Sequence, residues 1–259
     1  MAKKITAQST SKSEKLFLDT FDSLCYSRNA WEVWTDFITA TACSLANAVD
    51  QEGKIHDERE KEYVKCIERL GGVDSAAKLF ACVVEALEEN PEQDFLGGLF
   101  MKLNLGNHWK GQFFTPYCVC RTMAAITADG VESTIADKGW ASVNDPACGA
   151  GATLIAMANV LKEHNVDYQN HALFVAQDID RVAGLMCYIQ LSLLGCAGYI
   201  VIADTLCNPV TGKAVLFPQE KEGQEFWYTP MFASDVWVYR RKFNLMDLFL
   251  ANIGSANNN

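Results

Sequence analysis

Apolar positions recur at intervals of three and four along the first hundred residues. Trp34, Phe37, Ile38, Thr41 and Leu45 form one stripe, and Tyr63, Ile67 and Leu70 form a second. That spacing puts each set on one face of a helix. A third helix is predicted over residues 74–89, after Gly71-Gly72, with Asp74 as its N-cap and Asn90-Pro91 as its stop. Residues 94–106 predict a short helix closed by Gly106. The aromatic stripes are accompanied by no polar chemistry and read as core. Residues 1–13 are polar and rich in Ser, Thr and Lys, which predicts a disordered tail. Residues 14–106 are then a helical N-terminal domain.

The period changes at Trp140. Residues 140–144 predict a short strand, and residues 153–161 place Leu154, Ile155, Ala158 and Leu161 on one helix face. Residues 172–177 (A-L-F-V-A-Q) are almost continuously apolar, as a strand buried on both faces must be. The helix after Asp180 carries Val182, Leu185, Met186, Ile189 and Leu193 on one side, and residues 199–203 predict a third strand. Strand alternating with helix predicts an α/β domain with a parallel-rich central sheet over residues 107–254. Beyond Leu206 the pattern weakens. Residues 213–217 and 235–239 read as strands joined by an acidic, Gly-containing loop, and residues 255–259 as a polar tail. There is no internal repeat.

Composition narrows the class. At 259 residues and 49% apolar content, the chain can bury about three quarters of its unfolded surface, in one large domain or two small ones. No apolar run approaches the ~20 residues needed to cross a bilayer, and Met1-Ala2-Lys3-Lys4 leads into polar residues, not a secretory core. Ten cysteines without recurring spacing suit a reducing cytoplasm. Cys118-Val119-Cys120 is the only close pair, and His56, His108, His164 and His171 are scattered, so no metal site is expected. The net charge of −10 opposes self-sufficient binding to duplex DNA. Lys3, Lys4, Lys12, Lys15 and the cluster Arg240-Arg241-Lys242 read as solvated surface. Contact with DNA would therefore call for a basic partner, in a homo- or hetero-oligomer.

The chemistry concentrates at Asp145-Pro146-Ala147-Cys148-Gly149-Ala150-Gly151, a Gly-rich turn from strand to helix. Gly149 and Gly151 lack Cβ atoms, so the backbone can turn sharply against a ligand. The helix that follows offers free N–H groups and a positive dipole end to a carboxylate. Asp145, Asp178 and Asp204 each close a predicted strand, where open α/β sheets bind ligands. Each position also has an ordinary reading. The glycines could serve packing, Asp178 or Asp180 could cap a helix, and Asp204-Thr205 could be a simple turn. Cys148 is more suited to packing than to nucleophilic work. Gln112, Phe113 and Phe114 could plug the helical region onto the sheet.

Together these residues resemble the family of DNA methyltransferases that modify adenine N6, especially the modification subunits of type I restriction systems. The family elements G-Q-F-Y/F-T-P and D-P-A-C-G-x-G are matched by residues 111–116 and 145–151. Q-E-x-D looks like Gln177-Asp178-Ile179-Asp180, with Asp for Glu, and G-D-x-L looks like Ala203-Asp204-Thr205-Leu206, with Ala for Gly. The resemblance spans residues 94–206 and implies a Rossmann-like domain binding S-adenosylmethionine, with S-adenosylhomocysteine as product. It assigns Asp178 to the ribose hydroxyls, Asp204 to the adenine amine and Ile179 to the adenine face. Thr115 and Pro116 would flank the methionine end, with Phe114 also in the cofactor site. Asp145, Pro146, Ala147, Gly149, Gly151 and Leu206 would complete the cofactor site. The family's fifth element, N-P-P-Y/F, is absent, as is its long C-terminal recognition region, which implies a truncated member. That element grips the target amine and stacks on a base flipped from the helix. Asn208, Tyr228, Phe232 and Asp235 are the available substitutes. Three functions follow: a DNA adenine methyltransferase, a catalytically silent cofactor-binding module of a mobile element or phage, or a methyltransferase acting on RNA or protein.

Overall fold

The computed structural model describes residues 11–105, 114–210 and 215–256. Five helices come first: α1 (Lys12–Leu24), α2 (Ala30–Asn47), α3 (Lys54–Arg69), α4 (Val73–Glu89) and α5 (Phe95–Lys102). Ser11 caps α1 by accepting from the Glu14 amide at 3.1 Å, so Lys12 and Ser13, expected in the tail, are helical. Phe17, Phe21, Trp34, Phe37 and Phe100 bury their rings together, mostly edge to face. The cap of α4 is Gly72 at φ 121°, not Asp74, which sits in the first turn and meets the helix dipole there. Asp94 caps α5, which ends at Lys102; Gly106 lies outside the described residues.

A 22-residue helix, α6 (Tyr117–Lys138), precedes the sheet and was not expected from the sequence. Its buried positions are Cys120, Ala124 and Ala128, too small to write a strong apolar stripe. The chain then runs β1 (Ala141–Asp145), α7 (Ala152–Glu163), α8 (Tyr168–His171), β2 (Ala172–Asp178), α9 (Arg181–Leu193), β3 (Ala197–Ile202) and β4 (Glu225–Tyr228). A 3₁₀ turn over Pro230–Ala233 leads into α10 (Asp235–Ala256).

The strands lie in the order β1-β2-β3-β4, the first three parallel and β4 antiparallel to β3. All three aspartates singled out in the sequence therefore fall at the same, carboxyl edge. Phe174, Ala176 and Ile200 face a core shared with α7, α9 and the N-terminal helices. Leu173, Val175, Tyr199 and Val201 face the other side, against Phe226, Phe232 and Trp237. Two expected strands are corrected. Residues 215–217 form a turn and bend, with 213 and 214 outside the described residues, and residues 235–239 open α10. The alternation in Val-Trp-Val-Tyr suits a strand, but a helix lets Trp237 bury completely, edge-on to Trp140, with its indole N–H on the Gln169 carbonyl at 2.8 Å.

Candidate functional site

Three loops leave the carboxyl ends of β1, β2 and β3, and hydrogen bonds lace them together. Asp178 Oδ2 accepts from the Gly149 amide at 2.8 Å, joining the second loop to the first. Thr205 Oγ1 donates to the Pro146 carbonyl at 2.5 Å, joining the third to the first. The Ala203 amide donates to the Asp178 carbonyl at 3.0 Å, joining third to second. Asp145 braces its own turn, accepting from the Ala147 amide at 3.0 Å and from the Thr153 hydroxyl. Asp204 accepts from the amides of Leu206 and Cys207 at 2.8 and 3.2 Å. The helix cap at α9 belongs to Asp180, which accepts from Ala183 N, and not to Asp178.

The carboxylates differ in electrostatics. Burial raises the Asp178 pKa above the ordinary value, against the pull of the Asp180 and Gly149 amides. The amides of Leu206 and Cys207 lower that of Asp204, so it stays ionised through the physiological range. Beside these acceptors stand two apolar side chains in solvent, Ile179 at 70% exposure and Leu206 at 92%. The Cys148 thiol contacts that of Cys187 and is buried, which raises its pKa and fits packing.

The two glycines of the turn are needed for contacts within the protein. Gly149, at φ 53°, lies so close to the Phe114 ring that a Cβ would sit 3.0 Å from it. Phe114 also packs on Phe100 of α5 at 5.3 Å, so this residue fixes the helical region against the turn. Gly151, at φ 98°, would place a Cβ 2.9 Å from Cys187 Sγ, and so admits α9 close to the turn. Thr115 and Pro116 are exposed, with Pro116 at the N-cap of α6. Gly111, Gln112 and Phe113 lie outside the described residues.

The four substitutes for the missing clamp are not brought together. Asn208 lies in the third loop, but its amide donates to the Glu222 carbonyl at 2.9 Å. Tyr228 pairs with Tyr199, toward the amino end of β3, and stacks on Phe232 at 5.5 Å while its hydroxyl donates to Glu220. Phe232 is buried beneath the Arg241 guanidinium, 4.2 Å from the ring centre. Asp235 opens α10, whose first turns contact the carbonyls of Gln169 and Asn170 before β2 begins. Three of the four thus lie away from the laced loops. Arg240 and Arg241, read as solvated, instead cover Trp237 and Phe232.

Two features had no signal in the sequence. Gln190 of α9, fully buried, donates to Asp94 Oδ1 at 2.7 Å and to the Ala150 carbonyl at 2.9 Å, and accepts from Leu96 N. Arg181 bridges Glu225 of β4 and Glu62 of α3 at 2.9–3.1 Å. A cleft of 390 Å³ beside that bridge is lined by Arg59, Glu62, Glu225, Trp227 and the clamp candidate Tyr228, with Glu220 and Gln224 from the end of the β3–β4 loop, and by none of residues 145–151, 178–180 or 203–208. Among the described residues no group of three or more His, Cys, Asp or Glu side chains could hold a metal ion. No helix among them is long and apolar enough to cross a membrane.

Comparison with curated proteins and with solved structures gives no significant match. The family model described as N-6 DNA methylase matches residues 100–244, a span that holds the laced loops, all four strands and the start of α10. That is more than half of the chain, and on it the protein belongs to the N-6 DNA methylase family.

Proposed function

We propose that this protein binds S-adenosylmethionine across the carboxyl ends of β1, β2 and β3. The observation that carries the reading is the exposure of Ile179 and Leu206 beside the acceptors Asp178 and Asp204. Large apolar side chains left in solvent between hydrogen-bonding groups are what an aromatic, donor-bearing ligand requires. Each carboxylate oxygen has two lone pairs. After their amide bonds, Asp178 and Asp204 retain acceptor capacity for ribose hydroxyls and for an adenine amine. The α7 N-terminus suits the cofactor's carboxylate. The bound cofactor would supply a methyl group on a positively charged sulfur. Asp178 and Asp204 would orient it, and Ile179 and Leu206 would shield one face of its base from water.

Methyl transfer to adenine N6 is the family's chemistry, and its target-side groups are the weak point here. Asn208 alone of the four candidates shares a loop with Asp204, where one of its amide hydrogens is held by the Glu222 carbonyl, while Tyr228, Phe232 and Asp235 lie on other elements. This favours a second reading, a cofactor-binding member that is slow or silent toward DNA and acts through binding to another protein. The net charge of −10 supports a basic partner for any DNA contact.

Titration calorimetry with S-adenosylhomocysteine tests the first reading. One-to-one binding is expected, and no heat with no thermal shift at millimolar ligand would reject it. Tritiated methyl transfer to unmethylated DNA, with mass spectrometry of the nucleosides, separates the two. Turnover at ordinary methyltransferase rates, abolished by Asn208→Ala, would reject the silent reading.

A further inference from the structure

We infer that Gln177 is a positioning residue that fixes Asp204 and Leu206 in place; this rests on the cofactor reading above. Gln177 is the last residue of β2 before Asp178, and its side chain is buried at 3% exposure. Nε2 donates to the Ala203 carbonyl at 3.1 Å and to the Asn208 carbonyl at 3.0 Å. Oε1 accepts from the Val210 amide at 2.8 Å. Both amide protons and the carbonyl oxygen are therefore spent on one loop, on either side of Asp204, Thr205, Leu206 and Cys207.

Within that span Asp204 already shapes a local turn through the Leu206 and Cys207 amides, and its carbonyl accepts from Asn208 N at 2.7 Å. A local turn fixes the loop's shape but not its place on the sheet. The Thr205–Pro146 and Ala203–Asp178 bonds give part of that place, and Gln177 adds to it from the neighbouring strand by holding the chain on both sides of the turn. Its own carbonyl also accepts from Cys148 N at 3.0 Å, so one residue ties down the Gly-rich turn as well. A side chain needed only to fill space would be served better by Leu or Met, which cost nothing in buried polar groups. An amide, with two donors and an acceptor, is the group this loop demands.

The test compares Gln177→Leu and Gln177→Glu with the wild-type protein. First, amide hydrogen exchange is measured without ligand. Gln177→Leu should speed exchange at Val210 and the Asp204–Cys207 turn, with little change in α7. Second, affinities for S-adenosylhomocysteine and S-inosylhomocysteine, in which an oxo group replaces the adenine amine, are compared. Wild type should prefer the amine by roughly tenfold, the worth of one charge-assisted hydrogen bond, and Gln177→Leu should bring the ratio close to one. Third, Gln177→Glu keeps the bond from Val210 but turns an ionised oxygen toward two carbonyls. Its ratio should recover toward wild type as pH falls and the carboxyl becomes a donor. That rescue decides the matter even if Gln177→Leu fails to fold.

A folded Gln177→Leu with unchanged exchange and an unchanged ligand ratio would overturn the inference and leave the cofactor reading intact, as would a Gln177→Glu ratio that ignores pH. A wild type that binds neither ligand would overturn the cofactor reading and this role with it, while the exchange data would still report whether Gln177 holds the loop.

Discussion

Ile179 and Leu206 stand in solvent at one end of the sheet, whereas Phe232 and Trp237 are enclosed at the other. At the carboxyl ends of the strands, short polar side chains hold backbone loops to each other and leave apolar groups uncovered. Around the amino end of β3, Tyr199, Tyr228 and Phe232 pack on one another, and the Tyr199 and Tyr228 hydroxyls bond to Val215 and Glu220. Residue types assign the first region to the cofactor's adenine and offer Tyr228 and Phe232 in the second as substitutes for the ring that stacks on a target base. The difference lies in which faces the fold leaves open: an aromatic ring covered by its neighbours contributes stability, and an exposed aliphatic beside an acceptor is where we propose the cofactor lies.

The largest expected effect lies on the packed side. Phe232→Ala should lower stability by about 3–5 kcal/mol, read by denaturant unfolding, while the folded fraction binds S-adenosylhomocysteine normally. A loss of affinity in the folded fraction would break the contrast and return Phe232 to the site. Next, Asp178→Ala should weaken cofactor binding by roughly ten- to a hundredfold in calorimetry. Unchanged affinity would reduce Asp178 to a brace for Gly149.

Acidification sharpens the same point. Protonated Asp178 is a poorer acceptor, and burial raises its pKa, so affinity should fall with pH sooner than for an ordinary aspartate. Folding has the opposite sign. A carboxyl whose native pKa lies above its unfolded value binds its proton more tightly when folded. Asp178 and the buried Asp94 should therefore favour the native state as pH falls through their raised values, and oppose it above them. Thermal melts and calorimetry over one pH series should diverge; parallel curves would contradict the assignment. The smallest effect is Leu206→Ser, which should leave stability within about 0.5 kcal/mol and weaken the cofactor a few-fold. A large stability loss would mean Leu206 is covered in solution.

The sequence made much of this legible, for physical reasons. β2 and β3 are short apolar runs buried on both faces, and α7 and α9 carry large side chains at helical spacing, so their periodicity is strong. The three aspartates are legible because each follows or closes a strand, Asp145 at β1, Asp178 at β2 and Asp204 after β3. Their bonds are not, because Asp178 meets Gly149 across 29 residues and no local pattern encodes that contact. α6 was missed because Cys and Ala write a faint stripe. β4 was missed because four residues, E-F-W-Y, follow a polar loop, while Asp235-Val236-Trp237-Val238-Tyr239 imitates a strand until Trp237 is given somewhere to go.

Gln190 bears on how such a protein could be divided. Its amide joins the carbonyl of Ala150 to the cap of α5, and α2 packs against α9, the helix that carries it. A fragment beginning after α5 would keep every matched motif from the Gly-rich turn onward. It would nevertheless strip Asp94 and Leu96 from Gln190 and open an apolar face of α9 to water. Such a piece is prey for proteases and chaperones, however complete its motifs. Recombination that exchanged the helices for those of a relative would succeed only where the newcomer brought both a carboxylate and a backbone amide to that one buried side chain.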